Sequence, residues 1–263
     1  MSRLSLAALL AASALSGCAA FGGGADGAEE AAIQQPQRSV DRQARERIVR
    51  EDALTQMAFW AGEYQAFPND LEAAQRFADS LRRGGRADRA MQIAVEALNR
   101  FQSDTNLLTT LGYAAIANDQ PQNAVRPLAF VAQAEPRNWR VRSALGAALD
   151  QMGRFQDARA AYQEALAIEP DNARVLTNLG VSYILAGDPA SAEPILRQAS
   201  STQGAPPEAR QNLAIALALT GRFAEAEQIQ RVDLPPAQAA ANVAYLRGLL
   251  SDGRRWGDLG GSR

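Results

Sequence analysis

Apolar and small residues return along this chain with a fixed step of 34 residues. Phe77 is followed at that spacing by Leu111, Leu145, Leu179 and Leu213. Small side chains keep the same step in two series, Ala78, Gly112, Gly146, Gly180, Ala214 and Ala90, Ala124, Ala158, Ala192, Ala226. A third series of turn formers runs Gly85, Asp119, Gly153, Gly187, Gly221, and Pro136 is matched by Pro170. Between these markers the polar residues are helix formers or caps, so each unit predicts a pair of helices joined by a tight turn. The stretch 38–70 is dense in arginine and glutamate, carries apolar Ile48, Val49, Leu54, Met57, Phe59 and Trp60, and keeps only Pro68 in register. It predicts an N-terminal helix or degenerate repeat.

A 34-residue period with Leu-Gly at positions 7 and 8, Gly near 15, Ala at 20 and 27 and Pro at 32 is the tetratricopeptide pattern. Residues 139–172 carry it well, with Leu145-Gly146, Leu149, Gly153, Ala158, Tyr162, Ala165 and Pro170. Positions 8 and 20 fall where the two helices of a unit cross, and only Gly or Ala lets the backbones approach there. Gly at position 15 closes the first helix in a left-handed conformation, and Pro at position 32 ends the second. Asn138 and Asp171-Asn172 are placed to cap the helices that follow. The expected fold is therefore all-α, a right-handed superhelical solenoid of helix-turn-helix repeats. Five repeats are expected over 71–240 (71–104, 105–138, 139–172, 173–206 and 207–240). A terminal capping helix, read as Ala237 to Leu250 and extending past the repeats over 241–250, would cover the last apolar face. The glycine-rich residues 251–263 read as a flexible tail.

The first residues carry a different pattern. Arg3 precedes a 12-residue apolar stretch, Leu4 to Leu15, too short to span a bilayer and suited to the hydrophobic region of a secretory signal. It ends in Leu15-Ser16-Gly17-Cys18, which resembles the bacterial lipobox. That resemblance implies removal of residues 1–17, lipidation of Cys18, and a membrane anchor of several acyl chains. Ala19 and Ala20 follow the cysteine where an aspartate would favour inner-membrane retention, so an outer-membrane anchor facing the periplasm is expected. Residues 18–37, with four glycines, a proline and three acids, read as a flexible tether.

Composition removes most chemistry. The 263-residue chain holds 55 alanines, one cysteine, no histidine and no lysine; all 27 basic residues are arginine. Histidine acid–base work, lysine Schiff bases, the phosphate-loop lysine and any zinc site of two or more Cys or His are excluded. A net charge of −2 argues against a nucleic-acid surface. No enzyme, metal, cofactor or small-molecule substrate is expected.

In such arrays positions 2, 5, 6, 9, 12 and 13 of each first helix line the concave face. In repeats one and two these include Glu72, Gln75, Arg76, Asp79, Arg82, Arg83, Asn106, Thr109, Thr110 and Tyr113. The partner-binding groove is expected on repeats three to five, at Arg140, Arg174, Asn178, Val181, Ile184, Leu185, Asn212, Ile215 and Leu219. Arg140 and Arg174 stand one period apart and either pair with a carboxylate or remain solvated. Asn178 and Asn212 either hold a peptide backbone or are simply common repeat residues. The apolar residues either take an amphipathic segment or meet the terminal helix.

The lipobox, tether, repeats and the ending Asp233-Leu234-Pro235-Pro236-Ala237-Gln238-Ala239-Ala240-Ala241-Asn242-Val243-Ala244-Tyr245-Leu246-Arg247 together resemble the TadD family of lipoproteins. These belong to the tight-adherence (Flp pilus) assembly system, and the terminal stretch carries most of the likeness. The resemblance implies a non-enzymatic, pilotin-like role toward the secretin, with the secretin or another pilus-assembly protein as partner. A periplasmic adaptor for a peptidoglycan enzyme or protease has the same architecture and is the alternative.

Overall fold

The computed structural model describes residues 41–251, and these form thirteen α-helices. Cys18, the signal and tether of residues 1–37, and the tail beyond Ser251 lie outside the described residues. Five helices carry the first position of each repeat: α3 (Leu71–Arg83), α5 (Thr105–Ala117), α7 (Trp139–Gln151), α9 (Ala173–Leu185) and α11 (Pro207–Leu219). Their partners are α4 (Ala87–Leu98), α6 (Gln122–Ala134), α8 (Phe155–Ile168), α10 (Pro189–Ser201) and α12 (Phe223–Gln230). Each helix packs on the next in sequence, and α3, α5, α7, α9 and α11 also pack on one another in order, giving an all-α solenoid.

The starts and stops are local chemistry. The side chains of Asp70, Asp104, Asn138, Asn172 and Asp188 each accept a hydrogen bond from a backbone N–H in the first turn of the helix that follows. Every first helix ends the same way, with a residue at positive φ: Gly85, Asp119, Gly153, Gly187 and Gly221. The next N–H reaches back to a carbonyl inside the helix, as Arg86 to Leu81, Gln120 to Ala115, Arg154 to Leu149, Asp188 to Tyr183 and Arg222 to Leu217. Asp119 holds this conformation at φ 55° without being glycine.

The small residues sit where the helices meet. Ala90, Ala124, Ala158, Ala192 and Ala226 are wholly buried. The position-8 glycines face a large side chain of their own hairpin: Leu128 over Gly112, Tyr162 over Gly146, Leu196 over Gly180. The core is accordingly a chain of clusters, each shared by neighbouring hairpins, rather than one nucleus.

The two ends depart from the expected layout. In the described part of 38–70, from residue 41 on, there are two helices, α1 (Arg42–Ile48) and α2 (Ala53–Ala66), with α2 packed on α3 as the second helix of a repeat would be. Arg45 locks them. Although 7% exposed, its guanidinium reaches Glu63 at 2.7 Å, Asp70 at 2.8 Å and Glu72 at 3.0 Å, and stacks on Trp60. At the other end the terminal helix α13 (Pro236–Ser251) lies where Ala237 to Leu250 reads as one, and the departure is in the fifth repeat, which is truncated short of 240 because α12 has 8 residues. Leu234-Pro235-Pro236 accounts for this: neither proline can donate a helical hydrogen bond, and Pro236 suits the first turn of a new helix. Ala239 and Val243 of α13 are buried.

Candidate functional site

The concave face is built by α3, α5, α7, α9 and α11. A cavity of about 450 Å³ on it lies between α3 and α5 and is lined by Gln75, Arg76, Arg82, Asn106, Thr109 and Tyr113 among others. Polar groups there are largely engaged. Gln75 donates to Asp104 at 2.8 Å, and Asp79 receives Arg82 at 2.7 Å and Arg83 at 2.8 Å. The guanidinium of Arg82 lies 5.6 Å from the centre of the Tyr113 ring. Burial raises the Tyr113 phenol above its ordinary pKa, against the opposing influence of Arg82 and Arg140. Arg140 therefore belongs to the same electrostatic neighbourhood from the next repeat, with its own guanidinium stacked 4.5 Å from the centre of the Trp139 ring.

Repeats three to five are arranged differently from the expectation. Arg140 and Arg174 are exposed, and among the described residues neither has a carboxylate partner within 4.0 Å. Asn178 donates to Ser143 Oγ of the preceding repeat at 3.3 Å, which turns part of its amide inward. Val181 and Asn212 are half-buried, and Leu185 is exposed. Ile184 is not a groove residue: it is 4% exposed and packs in one cluster with Leu213, Ala214 and Leu217 of the following repeat. Ile215 and Leu219 pack against that same cluster. Ile215 also faces a second cavity of about 420 Å³, shared with Leu234, Gln238, Asn242, Tyr245 and Leu246. The expected apolar strip is thus interrupted by burial and partly covered by α13.

Position 12 explains the change. Asp150 occupies it one repeat before Ile184, and it too points toward the next repeat, accepting hydrogen bonds from Ser182 Oγ at 2.7 Å and Tyr162 Oη at 2.9 Å. Burial pushes the Asp150 carboxyl above the usual aspartate range despite those two donors and nearby Arg159. Arg45, on the opening helix whose arginines look like a basic surface, is likewise withdrawn into an ion-pair cluster. No sequence signal marked it out from Arg42 and Arg47.

Among the described residues no group of carboxylates has metal-ligand geometry, and no helix is long and apolar enough to cross a membrane.

The tetratricopeptide repeat model matches residues 115–181, 151–204 and 183–250, together more than half of the chain. The chain belongs to the tetratricopeptide repeat family. No curated protein matches it. Among solved structures, MamA MSR-1 is 27% identical, with 56% of this chain and 85% of that chain covered and a TM-score of 0.51. A thermophilic TPR protein in Thermus thermophilus is 22% identical, with 66% and 97% covered and a TM-score of 0.55. MamA from Desulfovibrio magneticus RS-1 is 19% identical, with 60% and 90% covered and a TM-score of 0.56. The last two share the fold. The repeats make this chain a scaffold for protein–protein interaction.

Proposed function

We propose that the chain is a non-enzymatic, outer-membrane-anchored periplasmic lipoprotein that assists assembly of the Flp (tight-adherence) pilus apparatus, with a pilotin-like role toward the secretin. Its anchor would be lipidated Cys18, and its working surface the concave face of the repeats. The observation that supports this most is the way the ending Asp233–Arg247 is used. Asp233 is held by Arg210 at 2.6 Å, Pro235-Pro236 starts the closing helix, and Arg247 stacks 4.6 Å from the centre of the Phe223 ring. The stretch that carries the family likeness is a structural closure of the array, which leaves the groove as the surface for partners.

The experiment uses a strain that makes the pilus. A photo-crosslinking residue is placed at Asn106, in the groove, or at Arg126, on the exposed side of α6. Crosslinks to the secretin are expected from Asn106 and not from Arg126. Cys18→Ser is expected to leave the chain out of the outer membrane, because a hydroxyl cannot replace the thiolate as acyl acceptor, and to reduce secretin multimers there. Normal secretin multimers in a strain lacking the chain would overturn the reading.

A further inference from the structure

The carboxylates of the concave face in repeats one to four are already held by neighbours, while two of its arginines are not. Glu72 is taken by Arg45, Asp79 by Arg82 and Arg83, and Asp150 by the hydroxyls of Tyr162 and Ser182. Arg140 and Arg174 occupy the same position on α7 and α9, are exposed, and have no carboxylate partner within 4.0 Å among the described residues. The stack of Arg140 on Trp139 holds its guanidinium in place before any ligand arrives. A local positive strip therefore runs along the groove of a chain whose net charge is −2.

We propose that this strip selects an acidic, extended segment of the partner protein, with side-chain carboxylates three residues apart seated on Arg140 and Arg174. The spacing follows from the scaffold. Packed helices lie roughly 8–10 Å apart, and α7 and α9 are packed neighbours. In a polyproline-II chain, residues i and i+3 face the same way about 9 Å apart. Each guanidinium meets a carboxylate through paired N–H donors, which fixes direction as well as charge. Tyr113 and Asn106 continue the surface toward α3, supplying an aromatic flank and an amide for the segment's backbone. The proposal rests on the groove being the partner surface, as argued above, and adds the chemistry that the groove reads.

The test is fluorescence anisotropy with the purified full-length chain in detergent. The probe is a twelve-residue peptide of repeating Glu-Ala-Pro carrying tetramethylrhodamine on its N-terminal amine and amidated at its C-terminus, compared with identically labelled Gln-Ala-Pro and Arg-Ala-Pro peptides of the same length. Amidation removes the terminal carboxylate, so any acid recognised belongs to a side chain. The Glu peptide is expected to bind, more tightly at low salt, and the other two at least about tenfold more weakly, a step of about 1.4 kcal/mol. Arg140→Gln with Arg174→Gln is expected to weaken the Glu peptide about tenfold or more with an unchanged thermal melt, while Arg126→Gln leaves it unchanged. Equal binding of the Gln peptide, full affinity in the double variant, or no binding of the Glu peptide overturns the proposal. If it fails while Asn106 still crosslinks to the secretin, acid selectivity falls and the groove reading stands. If the crosslink is lost as well, the groove reading falls with it.

Discussion

Adding one methyl group at Gly146 tests the packing account most directly. Its Cβ would lie 2.7, 2.8 and 2.9 Å from three ring carbons of Tyr162. Carbon atoms in contact normally sit about 3.5–4.0 Å apart, so the ring must retreat by roughly 1 Å. Tyr162 is 2% exposed, and its hydroxyl donates to half-buried Asp150 at 2.9 Å. A retreat of that size takes the hydroxyl out of hydrogen-bond range. Overpacking costs about 1–3 kcal/mol, and loss of a hydrogen bond to a charged group about 1.5–3 kcal/mol. Against this, alanine in place of glycine inside a helix gains about 0.5–1 kcal/mol. Gly146→Ala should therefore lose about 2–4 kcal/mol, and Tm should fall by roughly 5–15 °C in a body of this size. Gly62, in α2, provides the control, since a Cβ added there meets nothing within 4 Å. Gly62→Ala should raise Tm by roughly 1–4 °C from helix propensity alone. Thermal melts by far-ultraviolet circular dichroism read both, with hydrogen exchange over α7 and α8 locating the first loss. A Gly146→Ala chain that melts at or above wild type would refute the assignment of this glycine to the closest helix crossing.

Arg45→Ala leaves Glu63 and Asp70 without their cation and Glu72 with only the long contact to Arg76 at 3.9 Å, and should destabilise the opening hairpin by roughly 3 kcal/mol. Hydrogen exchange should then rise over α1 and α2 and leave α7 to α10 protected. Asp150→Asn should relieve a half-buried charge. Because burial raises the Asp150 carboxyl, the folded state holds its proton longer than the unfolded chain does. Wild type should lose stability relative to the variant as pH rises from about 4, the ordinary aspartate value, through the raised one; urea melts across that range give the difference. Asp119→Gly should gain about 0.5–1 kcal/mol by relieving a left-handed non-glycine residue, while Gly153→Ala, at φ 71°, should lose about 1–2 kcal/mol. Paired urea midpoints decide both.

The repeat itself was legible because its constraints are local: a left-handed turn residue, a cap and a small residue at the crossing each act within one hairpin. Hence Gly85 through Gly221, and Asp119 among them, fell at the positive-φ positions. The groove register was also readable at Gln75, Arg76, Asn106 and Tyr113, which line one cavity between neighbouring first helices. It failed at position 12, where Asp150 and Ile184 turn toward the following first helix; that contact depends on the stagger between repeats, which a single-repeat pattern does not encode. Arg45 was hidden for a related reason, since its three acids are 18 to 27 residues away and meet only in the fold. The Pro235-Pro236 break was visible as sequence, yet a strict period carried the fifth repeat across it.

The glycine and its large partner bear on how the array came to have its length. Leu128, Tyr162 and Leu196 each lie 16 residues after the glycine they cover, inside the same hairpin. The fit that sets each hairpin's geometry is thus inherited within a single unit. A duplication or loss of one 34-residue unit carries a matched pair with it and leaves every other pair intact, so the length of the groove can change in whole units without redesigning its core. The same short separation keeps contact order low, and each hairpin can close on its own residues before its neighbours arrive.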